Sequence, residues 1–302
     1  MRILLTGAGG QAGRDLIPVL LSRGHTLLGT VHAPCSLPCP CQVLDISDEK
    51  AVRSCVSAFQ PDLILHCAAW TNVDAAELPE NRSRVFAVNA LGTRYLSEAA
   101  RECGSALLYL STDYVFSGRG NRPWRPEDTD FEPLNVYARS KLEGEQAVTA
   151  LLSRFFIVRI AWAFGPGRNF VDTMLRLGRT RPEVRVVCDQ VGTPTYTRDL
   201  ARLLADMAES DKYGIYHVTN SECTPQGYIS WYDFACEIFR QAGLTCRVLP
   251  VLSREYAAPA PRPMNSRLDK EKLTEAGFKP LPDWKDALSR YLQDKEAENG
   301  PD

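Results

Sequence analysis

Short, wholly apolar runs recur along the chain, and each is followed by a stretch with helical spacing. Apolar runs without polar alternation are typical of parallel strands that helices cover on both faces. In the first half of the chain these strand candidates are residues 3–5, 26–28, 63–65, 107–110 and 156–158. The alternation of strand and helix predicts an α/β fold with a Rossmann-type, doubly wound parallel sheet.

Helical spacing is clearest over residues 79–101 and 135–152. The first stretch opens with Pro79, which suits a first helical turn, and stops at Gly104. Its predicted buried stripe consists of Val85, Val88, Leu91, Leu96 and Ala99.

After about residue 165 the alternation of strand and helix candidates becomes less regular. Shorter strand candidates at 184–187, 215–218 and 247–249 mix with helical stretches, and the proline-rich run 257–263 predicts irregular structure. We therefore expect a first domain over residues 1–165 and a smaller C-terminal α/β lobe over 166–302, with some segments of the lobe returning to the first domain.

Charge and hydropathy narrow the class of protein. The 302 residues carry 35 basic and 37 acidic side chains, a net charge of −2, and such a balance argues against a nucleic-acid-binding surface. The mean hydropathy is −0.23, and no apolar run approaches the roughly 18 residues of a membrane span. The N-terminal residues lack a signal-peptide pattern, so we expect a cytoplasmic protein without a membrane partner.

Three of the ten cysteines, Cys35, Cys39 and Cys41, lie close together in a proline-rich segment. Three thiols can hold a metal, but structural zinc requires four ligands at characteristic spacings. An irregular loop with reactive thiols is the favoured interpretation, and we predict no metal site.

Glycines follow the first predicted strand in the order Gly7-x-x-Gly10-x-x-Gly13, with Gln11 and Ala12 between the last two. This spacing lets the backbone turn tightly and approach a pyrophosphate at a helix N-terminus. A glycine triplet alone is a weak signal, but its place after the first strand of a βαβ pattern predicts that residues 1–165 bind a dinucleotide.

The end of the second strand gives information on which dinucleotide binds. An acidic residue there usually contacts the free ribose 2′-hydroxyl of NAD, whereas residues 28–34 contain no carboxylate and no arginine. We therefore favour NADPH and leave NADH open as a second cofactor. Asp45 and Ile46 follow the next short strand; they are candidates for the adenine edge or for a helix N-cap region.

Tyr137 and Lys141 lie four residues apart in a predicted helix, so they project from one face. A lysine ammonium near a phenol lowers the phenol's pKa and favours proton exchange with a substrate oxygen. Thr112 ends a predicted strand at the edge where open α/β sheets bind ligands. A Tyr-x-x-x-Lys pair also arises by chance on exposed helices, but with Thr112 and the glycine loop it predicts a catalytic set.

These residues resemble the extended short-chain dehydrogenases/reductases, and longer stretches are similar to the dTDP-4-dehydrorhamnose reductase family within them. The matching stretches are residues 10–13, 68–77, 111–118, 137–145, 159–165, 169–174, 189–195 and 262–268.

The resemblance implies NAD(P)H-dependent reduction of the C4 ketone of dTDP-4-dehydro-6-deoxy-L-mannose to dTDP-L-rhamnose, an oxidoreductase step of dTDP-rhamnose biosynthesis. Tyr137 would protonate the forming alkoxide, Thr112 would orient it, and Lys141 would bind the nicotinamide ribose. By position, Ala68 and Ala69 would line the cofactor. The residues that would bind the dTDP-sugar are Thr71, Val73, Asp113, Trp162, Asn169 and Arg262. The lobe over 166–302 is expected to be mainly the sugar-nucleotide lobe.

From the residues alone, Trp162 can equally serve packing, and Asp113 a turn. Asn169 and Arg262 are weaker candidates, for the diphosphate. A 4-ketoreductase for another dTDP-deoxysugar fits every motif, and a non-catalytic NADP-binding regulatory subunit is a further alternative. The oligomeric state is open, with a homodimer as one expectation.

Overall fold

The structure, a computed structural model, describes residues 1–222 and 227–299. The strands of the described residues are β1 (Arg2–Thr6), β2 (Thr26–Val31), β3 (Cys41–Val43), β4 (Leu63–His66), β5 (Ala106–Thr112), β6 (Phe155–Ile160), β7 (Ala163–Phe164), β8 (Glu183–Val187), β9 (Val191–Gly192), β10 (Thr195–Tyr196), β11 (Gly214–Val218), β12 (Asn220–Ser221), β13 (Ile229–Ser230), β14 (Arg247–Val251) and β15 (Leu281–Asp283). The α-helices are α1 (Gln11–Ser22), α2 (Glu49–Phe59), α3 (Val73–Ala76), α4 (Pro79–Phe86), α5 (Gly92–Cys103), α6 (Val136–Leu151), α7 (Phe170–Thr180), α8 (Thr197–Ala208), α9 (Trp231–Gln241), α10 (Glu271–Glu275) and α11 (Trp284–Asn299).

Seven strands form a parallel sheet in the order β3-β2-β1-β4-β5-β6-β11. The first six follow the Rossmann order, which confirms the predicted fold class. Helices α1 and α8 cover one face, and α2, α5 and α6 cover the other. The two faces explain why the strands are apolar throughout: Ile3 and Leu5 pack under α1 and α8, while Leu4 packs on the opposite side.

The helical stretch predicted at 79–101 is continuous but contains a π-helical turn, Ala87–Leu91, between α4 and α5. The wider turn changes the angular position of the residues around it. The prediction that Leu91 is buried was wrong for this reason, because Leu91 is 45% exposed. The helix ends at Gly104, as predicted, with a φ of +72°.

Among the described residues after β6, only β11 joins the sheet, and it pairs with β6 in parallel. The other late strands form two-stranded ladders, β7 with β10, β8 with β14, β9 with β13 and β12 with β15. Around them, α7, α9 and α11 enclose a second core rich in aromatic side chains such as Phe164, Phe234 and Trp284. The helices of the described residues include none with the length and apolar character needed to cross a membrane.

Candidate active site

The glycine loop lies between β1 and α1, where two glycines are required by close backbone approach. A Cβ on Gly7, whose φ is +70°, would lie 2.6 Å from the Ala68 nitrogen. A Cβ on Gly13 would lie 2.3 Å from the Gly7 carbonyl oxygen. Helix α1 has no side-chain N-cap hydrogen bond and no acidic residue in its first turn. Its N-terminus therefore suits an anionic group such as a pyrophosphate.

The loop lies at the point where the strand order reverses, between β1 and β4. Ala68 and Ala69 follow β4 there and are half-buried. Gln11 donates from Nε2 to the Arg168 carbonyl oxygen over 3.0 Å, so the segment after β7 lies beside the start of α1. The loop, both alanines and Gln11 are thus brought to one edge of the sheet, the usual ligand position in open α/β folds.

Asp45 and Ile46 follow β3 but differ in their surroundings. Asp45 pairs with Arg84 over 2.6 Å and accepts a hydrogen bond from the Ser47 hydroxyl. Partial burial opposes ionisation, but Ser47 and Arg84 outweigh it and lower the pKa of Asp45 to about 2. Asp48, rather than Asp45, caps α2. Ile46 is buried in the core under α2.

Thr112 and Tyr137 meet where β5 ends beside the start of α6. Asn135 caps that helix by accepting a hydrogen bond from the Ala138 N–H over 2.8 Å. Burial raises the pKa of Tyr137 to about 12, and a hydrogen bond with the Thr112 hydroxyl opposes this rise. The phenol is therefore protonated near neutral pH, the form that can donate a proton.

Lys141 lies one turn further along α6 and is 2% exposed. Its Nζ donates to the Leu110 carbonyl oxygen over 2.8 Å and lies 3.9 Å from the centre of the Tyr109 ring. Burial lowers the pKa of Lys141 to about 7, while Glu145 and Cys67 act in the opposite direction. The ammonium faces a carbonyl and a ring, so it does not lower the pKa of Tyr137 as the spacing alone predicted.

Asp113 follows Thr112 in a short 3₁₀ turn and is 3% exposed. Its Oδ1 accepts a hydrogen bond from the Thr112 hydroxyl over 3.2 Å, while Oδ2 lacks a hydrogen bond within the described part of the chain. Burial raises the pKa of Asp113 to about 7, and the neighbouring Ser266 and Thr112 hydroxyls oppose the rise. A buried carboxyl with an oxygen to spare can bind a hydroxyl group.

A buried polar network lies behind the predicted catalytic residues and was not predicted from the sequence. Glu145 accepts hydrogen bonds from the Ser111 hydroxyl over 2.6 Å and from Arg159 over 2.7 Å. The pair ties α6 to β5 and β6, and so fixes the helix that carries Tyr137 and Lys141. The signal was present, since Glu145 continues the four-residue spacing of Tyr137 and Lys141 along one helix face.

Asn89 supports the same region from the π-helical turn. Its Oδ1 accepts a hydrogen bond from the Trp70 N–H over 2.8 Å, and its Nδ2 donates to the Ser140 hydroxyl over 2.9 Å. It thereby links α6 to the segment that carries the predicted substrate residues Thr71 and Val73. Thr71 is exposed, and Val73 is half-buried at the start of α3.

Trp162 follows β6 with a φ of +51°, a conformation that is strained for a bulky residue. Its ring stacks on Trp231 with centroids 3.9 Å apart, and the residue is 9% exposed. Stacking explains its burial but not its backbone conformation. Such strain is common at functional sites, which is consistent with the predicted substrate role.

Asn169 and Arg262 have structural partners. Asn169 caps α7 by accepting a hydrogen bond from the Asp172 N–H, and its Nδ2 donates to the Gly165 carbonyl and the Tyr291 hydroxyl. Arg262 pairs with Asp74 over 2.8 Å, which ties the proline-rich run to α3. Arg262 thus lies beside the Thr71–Val73 segment, whereas Asn169 lies near Gln11.

Comparison with known proteins agrees with this geometry. The family described as RmlD substrate binding domain matches residues 1–297. A dTDP-4-dehydrorhamnose reductase of Streptomyces griseus is 44% identical, with 95% of this chain and 92% of that protein covered. A dTDP-4-keto-6-deoxy-D-glucose reductase of Streptomyces niveus is 38% identical, with 96% of each covered.

A solved structure extends the likeness to three dimensions. The dTDP-4-dehydrorhamnose reductase of Bacillus anthracis, in complex with NADP, has a TM-score of 0.88 and 37% identity, covering 97% of this chain and 99% of that one. The resemblance predicted from the sequence motifs is confirmed: the chain belongs to the family of the dTDP-4-dehydrorhamnose reductases.

Proposed function

We propose that the chain reduces the C4 ketone of dTDP-4-dehydro-6-deoxy-L-mannose to dTDP-L-rhamnose with NADPH. The observation that carries the proposal is the meeting of Thr112, a protonated Tyr137 and the buried Lys141 at the sheet edge that also holds the glycine loop. The identities to reductases over nearly the whole chain support it.

The residues fit a nicotinamide dinucleotide phosphate. The uncapped start of α1 suits the pyrophosphate, with Gly7, Gly10, Gln11, Ala12 and Gly13 around it. The end of β2 lacks a carboxylate that would repel a 2′-phosphate. When bound, this cofactor supplies the hydride. The Bacillus anthracis relative in complex with NADP supports the choice of NADPH, and NADH is the second candidate. The other residues proposed to contact the cofactor are Ala68, Ala69, Asp45 and Ile46.

Tyr137 is the proposed general acid for the oxygen at C4. A phenol held protonated by burial can release its proton to a forming alkoxide, which is the stronger base. The Thr112 hydroxyl, which lies beside the phenol, orients the same oxygen. Lys141 is proposed to hold the cofactor ribose.

Substrate contacts are proposed on the facing side. Asp113 has an oxygen free for a sugar hydroxyl, Trp162 offers an apolar ring, and Thr71 and Val73 border the same edge. Arg262 is proposed for the diphosphate, because a guanidinium can bind it through two parallel hydrogen bonds. Asn169 is a weaker candidate for the diphosphate, because its side chain already caps α7 by accepting a hydrogen bond from the Asp172 N–H.

We propose residues 1–165 as the dinucleotide-binding domain and 166–302 as mainly the sugar-nucleotide lobe, with β11 joining the central sheet. The first domain also carries the substrate candidates Thr71, Val73, Asp113 and Trp162. A cytoplasmic location and a homodimer remain predictions of the sequence.

Absorbance of NADPH tests the proposal directly. Purified protein mixed with dTDP-4-dehydro-6-deoxy-L-mannose should oxidise NADPH and yield dTDP-L-rhamnose, identified by mass and by its sugar after hydrolysis. Tight NADPH binding without turnover would instead support a regulatory subunit.

A second candidate is reduction of another dTDP-4-keto-6-deoxysugar, which the 38% identity to the Streptomyces niveus enzyme favours. Both substrates carry a C4 ketone and the same nucleotide, so the catalytic set serves either. Parallel kcat/KM measurements with the L-mannose and D-glucose 4-ketosugars distinguish them, and the higher value identifies the substrate.

A further inference from the structure

The proline-rich segment between β2 and β3 contains three thiols that the proposed function does not use. Cys35 is half-buried, Cys39 is buried and Cys41 is exposed at the start of β3. Within the described ranges, no three His, Cys, Asp or Glu side chains are arranged to hold a metal ion.

Two of the thiols lie against the glycine loop and its neighbouring strand. A Cβ on Gly9 would lie 3.3 Å from the Cys35 Sγ. A Cβ on Gly29 would lie 3.4 Å from the Cys39 Sγ and 3.0 Å from the Ala8 Cβ. The segment thus packs on the loop from the side of β2, the strand whose end faces the adenosine ribose in this fold.

Cys35 and Cys41 are also close to each other. The Cys41 thiol lies 3.7 Å from the Cys35 carbonyl oxygen. Both residues are reachable by solvent, whereas Cys39 is 8% exposed. The pairing of β2 with β3 places Cys41 opposite Gly29, which fixes one end of the segment. The two residues are six positions apart in the sequence, so a bond between their sulfurs would close a short loop at the start of β3.

We propose that Cys35 and Cys41 form a reversible disulfide that responds to peroxide at the rim of the dinucleotide site. The exposed Cys41 thiolate attacks the peroxide O–O bond, giving a Cys41 sulfenic acid and releasing the other oxygen as water or alcohol. The Cys35 sulfur then attacks the Cys41 sulfur, the S–S bond forms, the S–O bond breaks, and the second oxygen leaves as water. Two thiols are oxidised by two electrons, and one peroxide is reduced.

The disulfide alters cofactor binding, a consequence that rests on the proposed function. Formation of the disulfide would move the Cys35 sulfur towards Cys41 and away from Gly9, and so would change the surface that packs against the glycine loop. Thr112 and Tyr137 lie on the other side of β1 and β4, at the end of β5. We therefore expect KM for NADPH to rise about fivefold, a modest loss of binding, with kcat unchanged.

The test combines mass spectrometry with kinetics on the full-length protein. Reduced protein is treated with hydrogen peroxide, quenched, alkylated and digested. All three thiols fall in the tryptic peptide 24–50, so tandem fragmentation or a second protease must locate the bond. Wild type and Cys39→Ser should show a 35–41 linkage that dithiothreitol removes, whereas Cys35→Ser and Cys41→Ser should not. Cys236→Ser is the control for a thiol in another region.

Kinetics complete the test. Peroxide should raise KM for NADPH in wild type and Cys39→Ser, and reduction should restore it, while Cys41→Ser should not respond. The proposal is overturned if no 35–41 linkage forms, if Cys39 supplies the partner, or if Cys41→Ser loses affinity to the same extent. The linkage is measured without turnover, so inactivity of the reduced protein would reject the reductase function and leave the disulfide result intact.

Discussion

The two sides of the proposed active site are built by different means. On the proposed cofactor side, adjacent segments of β1, α1 and β4 form the site from backbone, and main-chain atoms closely approach Gly7 and Gly13. On the substrate side, side chains far apart in sequence meet, as in the Arg262–Asp74 pair and the Trp162–Trp231 stack. A site made of backbone tolerates little change at its glycines, whereas a site made of side chains can be altered one contact at a time.

Tyr137→Phe tests the point where the two sides join, and it carries the largest expected effect. The variant removes the proton donor and keeps the buried ring, so kcat should fall by about 10²–10⁴-fold while NADPH affinity changes little. Stopped-flow NADPH oxidation and fluorescence titration measure the two quantities. A kcat near that of wild type would remove Tyr137 from the acid role.

Gly7→Ala tests the backbone-built side. The added methyl group would meet the Ala68 backbone at 2.6 Å, so the loop must move, and NADPH affinity should fall by about 100-fold, or 2.7 kcal/mol. Gly24→Ala is the matched control, since Gly24 has a similar φ of +77° but open space around its Cβ position. It should lose only about 1 kcal/mol of stability from the left-handed backbone. Equal NADPH affinities in the two variants would contradict the steric account.

The same contrast explains what could be predicted from the sequence. The central strands and the glycine loop have local signals, namely unbroken apolar runs and fixed glycine spacing, and the structure has them where predicted. The π-helical turn around Leu91 packs against α6, and the apolar spacing within residues 79–101 gave no signal for it. The partner of Arg262 is Asp74, 188 residues away, and pairings of that kind are not encoded in any single stretch.

Asp113→Asn tests the proposed substrate side by its effect on how the free energy of unfolding depends on pH. The native carboxyl keeps its proton up to a pH of about 7, because burial raises its pKa, whereas the unfolded carboxyl titrates near the ordinary aspartate pKa of 3.8. Native protein thus binds more protons between these values, so wild-type stability falls as pH rises through that window. The neutral amide removes this loss. The variant should therefore gain about 1–3 kcal/mol over wild type at pH 8 and nothing at pH 4.

Thermal melts at both pH values measure this effect, with the exposed Asp211 changed to Asn as the control. A gain of the same size at both pH values would show that Asp113 is ionised throughout or that packing dominates. Turnover of the variant should fall as well. With the amide oxygen bonded to Thr112 in place of Oδ1, an NH₂ group takes the place of Oδ2 and cannot accept a hydrogen bond from the sugar hydroxyl.

Arg262→Ala has a smaller expected effect than these variants and tests the side-chain-built site most directly. The Arg262–Asp74 pair is partly exposed, so its contribution to stability is about 0–1 kcal/mol, and folding should survive its loss. If the guanidinium binds the diphosphate, Kd for dTDP should rise about tenfold, which is 1.4 kcal/mol, whereas NADPH affinity should not change. Isothermal titration of both ligands measures this difference. Arg119→Ala, which breaks the exposed pair with Glu132, is the matched control.

Asp74→Asn sharpens the same test by acting on the other partner. Asp74 accepts hydrogen bonds from the Ala260 N–H and from Arg262, and its charge competes with a diphosphate for the guanidinium. The amide keeps the side-chain shape and removes that competition, so dTDP should bind a few-fold more tightly, with the gain abolished when Arg262→Ala is added. If Asp74→Asn instead weakens dTDP binding to the same extent as Arg262→Ala, the pair acts as a structural tie between α3 and the proline-rich run, and Arg262 does not contact the diphosphate.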